Sequence, residues 1–121
     1  MAGVKYIPTP YSYSSAVVAG DFVFLGVHRG FGDDFSAQIE GVFEGLKATL
    51  GELGLALDSL VKVQVWLKNI QDLPEMERRF HNHFAPDHFP ARMTSTTEFI
   101  DDDCLLMIEG VAYKPASGGG D

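Results

Sequence analysis

Basic residues are scarce in this sequence. Nine Lys and Arg stand against seventeen Asp and Glu, a formal net charge of -8 over 121 residues. Nucleic-acid binders draw most of their affinity from neutralised phosphates, so this balance speaks against a general DNA or RNA binder. It speaks equally against docking on an anionic membrane surface. Cysteine is nearly absent. Cys104 stands alone, which excludes an intramolecular disulfide and points to a reducing cytoplasm. No apolar run approaches the roughly 18–20 residues of a membrane helix, so no membrane partner is expected. Met1 to Lys5 shows no basic segment leading into an apolar one, and no signal peptide is read there. The four histidines form no HExxH pattern and share no ligand spacing with Cys104 or the carboxylates, so no metal site is expected. There is no Gly-x-Ser-x-Gly elbow. The glycine-containing loop from Gly26 to Gly32 lacks the Gly-Lys-Ser/Thr ending of a phosphate loop, and Asp33 and Asp34 behind it would repel an anion.

What is present is a globular composition, 45% hydrophobic and 21% charged. Residues 1–115 read as one domain and 116–121 as a flexible tail. Phe22 to Val27 reads as a strand apolar on both faces. Asp34 or Ser36 opens a helix whose stripe is Ile39, Val42, Phe43, Leu46, Leu50 and Leu53, closed by Gly54. Val61 to Lys68 alternates with period two, placing Val61, Val63, Val65 and Leu67 on one face. A second helix starts at Asp72, with Glu75 completing a capping box and Leu73, Met76, Phe80 and Phe84 as its stripe. Two strands end the chain, Ala91 to Ile100 and Cys104 to Tyr113, with a turn at Asp101 to Asp103. The order is β-α-β-α-β-β, with room for a short strand before Phe22. Two helices can cover one face of such a sheet. Strands apolar on both faces then require another subunit, and a small closed oligomer is expected.

Glu109 lies in the most apolar strand, Leu105 to Ala112. An ionised carboxylate there is costly unless paired or functional. It is either a structural ion-pair or edge residue, or an acid/base carboxylate. Arg92, after Phe89-Pro90-Ala91, offers a rigid fork for a carboxylate or phosphate. Its bland alternative is an ion pair with Glu98, Glu109 or another internal acid. His28 ends a strand where it can enter a cleft, or be structural. Cys104 follows three aspartates with no basic neighbour in sequence, so no nucleophile is read there. Trp66, on a polar strand face, is a candidate interface anchor.

Four segments occur in order: Pro10-Tyr11-Ser12 with Ala16 to Asp21, Leu57 to Leu67, Pro90-Ala91-Arg92, and Ile108-Glu109-Gly110-Val111-Ala112. Together they resemble the Rid superfamily, also called the YjgF/YER057c/UK114 family, over nearly the whole chain. The resemblance implies an α+β, chorismate-mutase-like fold, a mixed sheet with two helices on one face. It implies a homotrimer with a central β-barrel and clefts between subunits. The implied activity is hydrolytic deamination of small imine or enamine carboxylates to 2-keto acids and ammonia, without cofactor. In those terms Arg92 binds the substrate carboxylate, Glu109 orients water, Tyr11 lines the cleft from a neighbouring subunit, and Thr94 occupies a compatible Cys/Thr position. Gly26, Val27 and His28 stand where the deaminating branch carries Ser-Gly-Gln, and His28 is a candidate replacement for the glutamine. Glu77 stands where that branch has Asn, and a carboxylate there would repel the substrate anion. The alternative is a non-catalytic trimer that binds a small carboxylate metabolite. Ribonuclease activity ranks last, given the charge.

Overall fold

Alternating apolar residues in Leu60–Leu67 build the strand that joins the two halves of the sheet. In the computed structural model, which describes residues 3–115, the elements are β1 (Lys5–Pro8), β2 (Ser14–Ala19), β3 (Phe22–His28), α1 (Phe35–Gly51), β4 (Leu60–Leu67), α2 (Leu73–His83), β5 (Ala91–Thr96) and β6 (Leu106–Tyr113). The expected tail 116–121 lies outside the described residues. Two strands, rather than one, precede Phe22. The six strands lie in the order β1-β2-β3-β6-β4-β5, antiparallel except for the parallel pair β4–β5. This is the mixed, α+β sheet expected.

Both helices pack on one face. Val63, Val65 and Leu67 of β4, with Leu106, Ile108 and Ala112 of β6, are buried against Ile39, Val42, Phe43, Leu46 and Leu50 of α1 and Met76 and Phe80 of α2. Each large apolar side chain removed from water in this way contributes about 1.5–3 kcal/mol. On the opposite face, Phe22 and Phe24 of β3, Met93 of β5 and Tyr113 of β6 are 43% to 60% exposed. The chain covers one side of its own sheet and leaves an apolar face open.

Several boundaries differ from expectation for physical reasons. The β4–β6 register shifts between Leu60 and Lys62, so Leu60 takes the core position and Val61 turns out to solvent. A strict period of two cannot anticipate such a bulge. Strand β5 stops at Thr96. Strand β6 starts at Leu106 because the Cys104 amide closes a turn on the Asp101 carbonyl (3.1 Å). Asp34 caps α1, accepting from the Ala37 amide at 2.8 Å. Asp72 makes no such bond at α2. It already has helical backbone angles, since a 3-10 turn over Ile70–Asp72 runs straight into the helix. Glu75 pairs with Arg79 instead (3.1 Å). Gly54 ends α1 with φ +73°, the left-handed conformation expected of it.

One contact sets how the loop after β3 lies on α1. A Cβ on Gly30 would stand 2.1 Å from the Gln38 carbonyl oxygen and 2.8 Å from the Gly41 Cα, so loop and helix backbones touch. The buried Gln38 side chain fastens this region. Its amide donates to the carbonyls of Gly32 (3.1 Å) and Asp103 (2.8 Å), and its oxygen accepts from the Leu105 amide (2.8 Å). Gly30→Ala is expected to lower stability by roughly 1–3 kcal/mol, the range for overpacking a closed contact. A urea midpoint unchanged from wild type would show that the loop lifts off α1 without cost.

Candidate functional site

Thr9 shapes the turn between β1 and β2. Its hydroxyl donates to the Tyr13 carbonyl (2.6 Å) and accepts from the Tyr11 amide (3.1 Å). The turn leaves Tyr11 exposed and stacked on Tyr13, ring centroids 6.1 Å apart and planes 10° from parallel. The two rings wall an open cleft of about 590 Å³, whose lining includes His28, Arg29, Phe31, Thr49 and Met107. Tyr11 and His28 are thus brought together.

His28 is held on both sides. Its Nδ1–H donates to the Gly26 carbonyl (2.8 Å), and the Thr49 hydroxyl of α1 is 2.8 Å from Nε2, where it donates to the neutral ring. Both nitrogens are engaged, so the ring lines the cleft while tying β3 to α1. Burial pushes its pKa below the ordinary value and outweighs the Gly26 carbonyl, which favours the charged form. Next to it, Arg29 pairs with Asp101 (3.1 Å) and Asp103 (3.5 Å), and its guanidinium carbon lies 4.2 Å from the Phe31 ring centroid. No local pattern marks Arg29; its one signal in the sequence is the acidic run at 101–103, with which it pairs.

Arg92 and Thr94 form a second cluster. Their register against Val63 and Val65 puts both on the helix side of the edge strand β5. Arg92 Nε donates to the Thr94 hydroxyl (3.1 Å), and the guanidinium carbon lies 5.2 Å from the Phe80 ring centroid. Arg92 Nη2 donates to Glu77 Oε1 at 2.8 Å. The ion-pair partner is therefore Glu77 of α2, and neither Glu98 nor Glu109. His81 Nε2 approaches the other Glu77 oxygen at 3.6 Å.

Glu109 stands apart from both clusters. It is half-buried on the open face, where the Trp66 indole donates to it at 3.3 Å. Gln64 lies opposite on β4, and a hollow of about 170 Å³ bordered by Phe24, Lys62 and Val111 adjoins it. Arg92 and Glu109 are thus on opposite faces of the sheet. Tyr11 is further still from Arg92: β2 and β5 are separated by four strand steps of about 4.8 Å each. Cys104 is buried, and burial pushes its thiol pKa up. The sequence showed no basic neighbour, yet Arg29 is close enough to act on it, with an opposing and smaller effect. Among the described residues no group of three or more metal-ligating side chains occurs, and no helix is long and apolar enough to cross a membrane.

Comparison with known proteins agrees with this architecture. Residues 5–114 match the family model described as endoribonuclease L-PSP. A RutC family protein of Pyrococcus abyssi is 32% identical over 110 residues, which cover 84% of this chain and 86% of that protein. The 2-iminobutanoate/2-iminopropanoate deaminase of Salmonella typhimurium is 27% identical over 84 residues, 68% of this chain and 66% of that protein. Among solved structures, a Streptococcus pyogenes protein described as a member of the yjgF family superposes with a TM-score of 0.87 at 28% identity, covering 96% of this chain and 100% of that one.

The His28 environment has a consequence for pH dependence. The unfolded ring titrates near 6.5 and the folded ring lower. As pH falls below 6.5, the unfolded chain takes up a proton that the folded chain resists, so stability declines on the acid side. Melting temperatures between pH 7 and pH 5 should fall less steeply for His28→Gln than for wild type. Parallel slopes would mean that the ring charges freely in the folded state.

Proposed function

The chain belongs to the endoribonuclease L-PSP family, within the Rid/YjgF superfamily, and on that premise we propose that it hydrolyses small imine or enamine carboxylates to 2-keto acids and ammonia. The observation that carries this reading is the Arg92 fork. Thr94 fixes its Nε, Phe80 supports its plane, and among the described residues its Nη1 has no hydrogen-bond partner. A guanidinium held in this way suits a carboxylate on a planar substrate. Water then adds to the imine carbon and the carbon–nitrogen bond breaks. Glu109 is the carboxylate available to orient that water. The reaction needs an anchored substrate and a positioned water, and calls for no cofactor or metal.

The catalytic groups are spread over two edges and both faces of one sheet, which favours sites built between copies. The uncovered apolar face, with Phe22, Phe24 and Tyr113, supports a homotrimer whose sheets close into a central barrel. In that assembly, Tyr11 of one copy faces Arg92 of another, Thr94 keeps the fork in plane, and His28 lines the cleft without a free ring nitrogen. The single buried Cys104 suits a reducing cytoplasm.

A second reading has its own support. Gly26 and Val27 offer no side-chain hydrogen bond, both His28 nitrogens are taken, and Glu77 occupies part of Arg92. These features favour a trimer that binds a carboxylate metabolite without turning it over. Ribonuclease activity, named in the family description, ranks last because no basic stripe offsets the charge of -8.

A 2-imino acid generated in situ by an amino-acid oxidase tests the enzyme reading. Wild type should accelerate its decay, and Arg92→Ala should lose roughly 10- to 100-fold or more, the worth of a charged hydrogen bond. Light scattering should give a trimer for both. Equal decay with and without the guanidinium moves the protein to the binding-module reading. Phe24→Glu, on the open face, should dissociate the trimer and remove activity together.

A further inference from the structure

We propose that Glu77 makes the Arg92 site selective for a carboxylate carrying a cationic nitrogen on the adjacent carbon, and that it displaces the 2-keto acid once that nitrogen is lost. The proposal rests on Arg92 being the carboxylate anchor. Glu77 already occupies one arm of the fork, at 2.8 Å. A second carboxylate arriving on the same guanidinium stands beside the first, and like charges sharing one site disfavour each other. A 2-keto acid brings only that charge. A protonated 2-imino acid, or an α-amino acid, brings a cation as well. Its carboxylate can take Nη1 while its nitrogen donates to Glu77, so both charges remain paired.

The geometry around Glu77 leaves it free for this role. The neighbouring acid on the same helix, Glu75, is committed to Arg79 (3.1 Å). Among the described residues, the second Glu77 oxygen has only the 3.6 Å approach of His81, whose side chain is 61% exposed. In an imino acid the nitrogen and the carboxylate are on adjacent carbons, a span that fits an Arg and a Glu already in contact. A carboxylate at the nitrogen also favours the iminium form, the more electrophilic one. The reaction balances as R–C(=NH2⁺)–COO⁻ plus H2O giving R–CO–COO⁻ plus NH4⁺. The carbon–nitrogen double bond is replaced by a carbon–oxygen double bond, with no oxidant or reductant. Ammonium carries the positive charge away, and Glu77 can then re-pair with Arg92 as the keto acid leaves.

Titration calorimetry on the full chain with 2-aminobutanoate and 2-oxobutanoate tests this. Wild type should bind the amino acid at least tenfold more tightly than the keto acid. Glu77→Gln should reverse the order and bind 2-oxobutanoate at least tenfold more tightly than wild type does. Glu77→Asn, shorter by one carbon, should shift both ligands in the same directions. Arg92-dependent binding of 2-oxobutanoate with equal affinity in wild type and both variants would overturn the role of Glu77 and leave Arg92 as anchor. No binding of either ligand to any of the proteins would overturn both.

Discussion

Two helices cover only one face of a six-stranded sheet, and most other features of this molecule follow from that constraint. Strands β3 and β6 carry apolar residues on both sides, yet the chain supplies a core for one side only. Phe22, Phe24 and Tyr113 therefore remain on a surface that water does not favour. The chemistry-bearing residues are distributed accordingly. They stand at strand ends, at an edge strand and on the open face, spread over separate parts of one chain.

The sequence made the regular parts legible because their periods are local. The helix stripe from Ile39 to Leu50 and the core residues Val63, Val65 and Leu67 are where pattern placed them. Arg92 stood out as a candidate from Pro90-Ala91-Arg92, and Glu109 from its apolar strand. What escaped depended on distant parts of the chain. The resemblance put Glu77 near the substrate anion, but its pairing with Arg92 arises because parallel pairing of β4 with β5 brings the edge strand beside α2, and nothing in either segment reports that contact. Arg29 meets Asp101 across 72 residues. Asp72 failed as a cap because a preceding 3-10 turn had already set its backbone. Val61 left the core at a register shift, which alternation alone cannot show.

The acidic surplus is not evenly spread. Asp101 and Asp103 surround Arg29, Glu40 and Glu75 surround Arg79, and Glu77 meets Arg92. The solvent-facing Arg92–Glu77 pair adds little to stability, typically about 0–1 kcal/mol, whereas the Arg29 side chain is only 10% exposed. The effect of these pairs is to cancel positive charge locally. Arg29, Arg79 and Arg92, which would otherwise present an anion-attracting surface, are matched within the chain, so a ligand there competes with a carboxylate already present. This explains how a fold shared with enzymes of anionic substrates can carry so negative a surface.

The sheet order has a consequence for synthesis. The last strand to be made, β6, lies between β3 and β4, with Phe22 paired to Tyr113. Until it emerges from the ribosome, the β1–β2–β3 meander and the β4–α2–β5 unit are separate pieces with raw edges. Neither has its central neighbour, and both expose apolar strands of the kind that aggregate. The nascent chain thus cannot settle segment by segment. Its sheet closes only once Leu106–Tyr113 is available, and a chain cut before Leu106 keeps two halves rather than a slightly shortened protein.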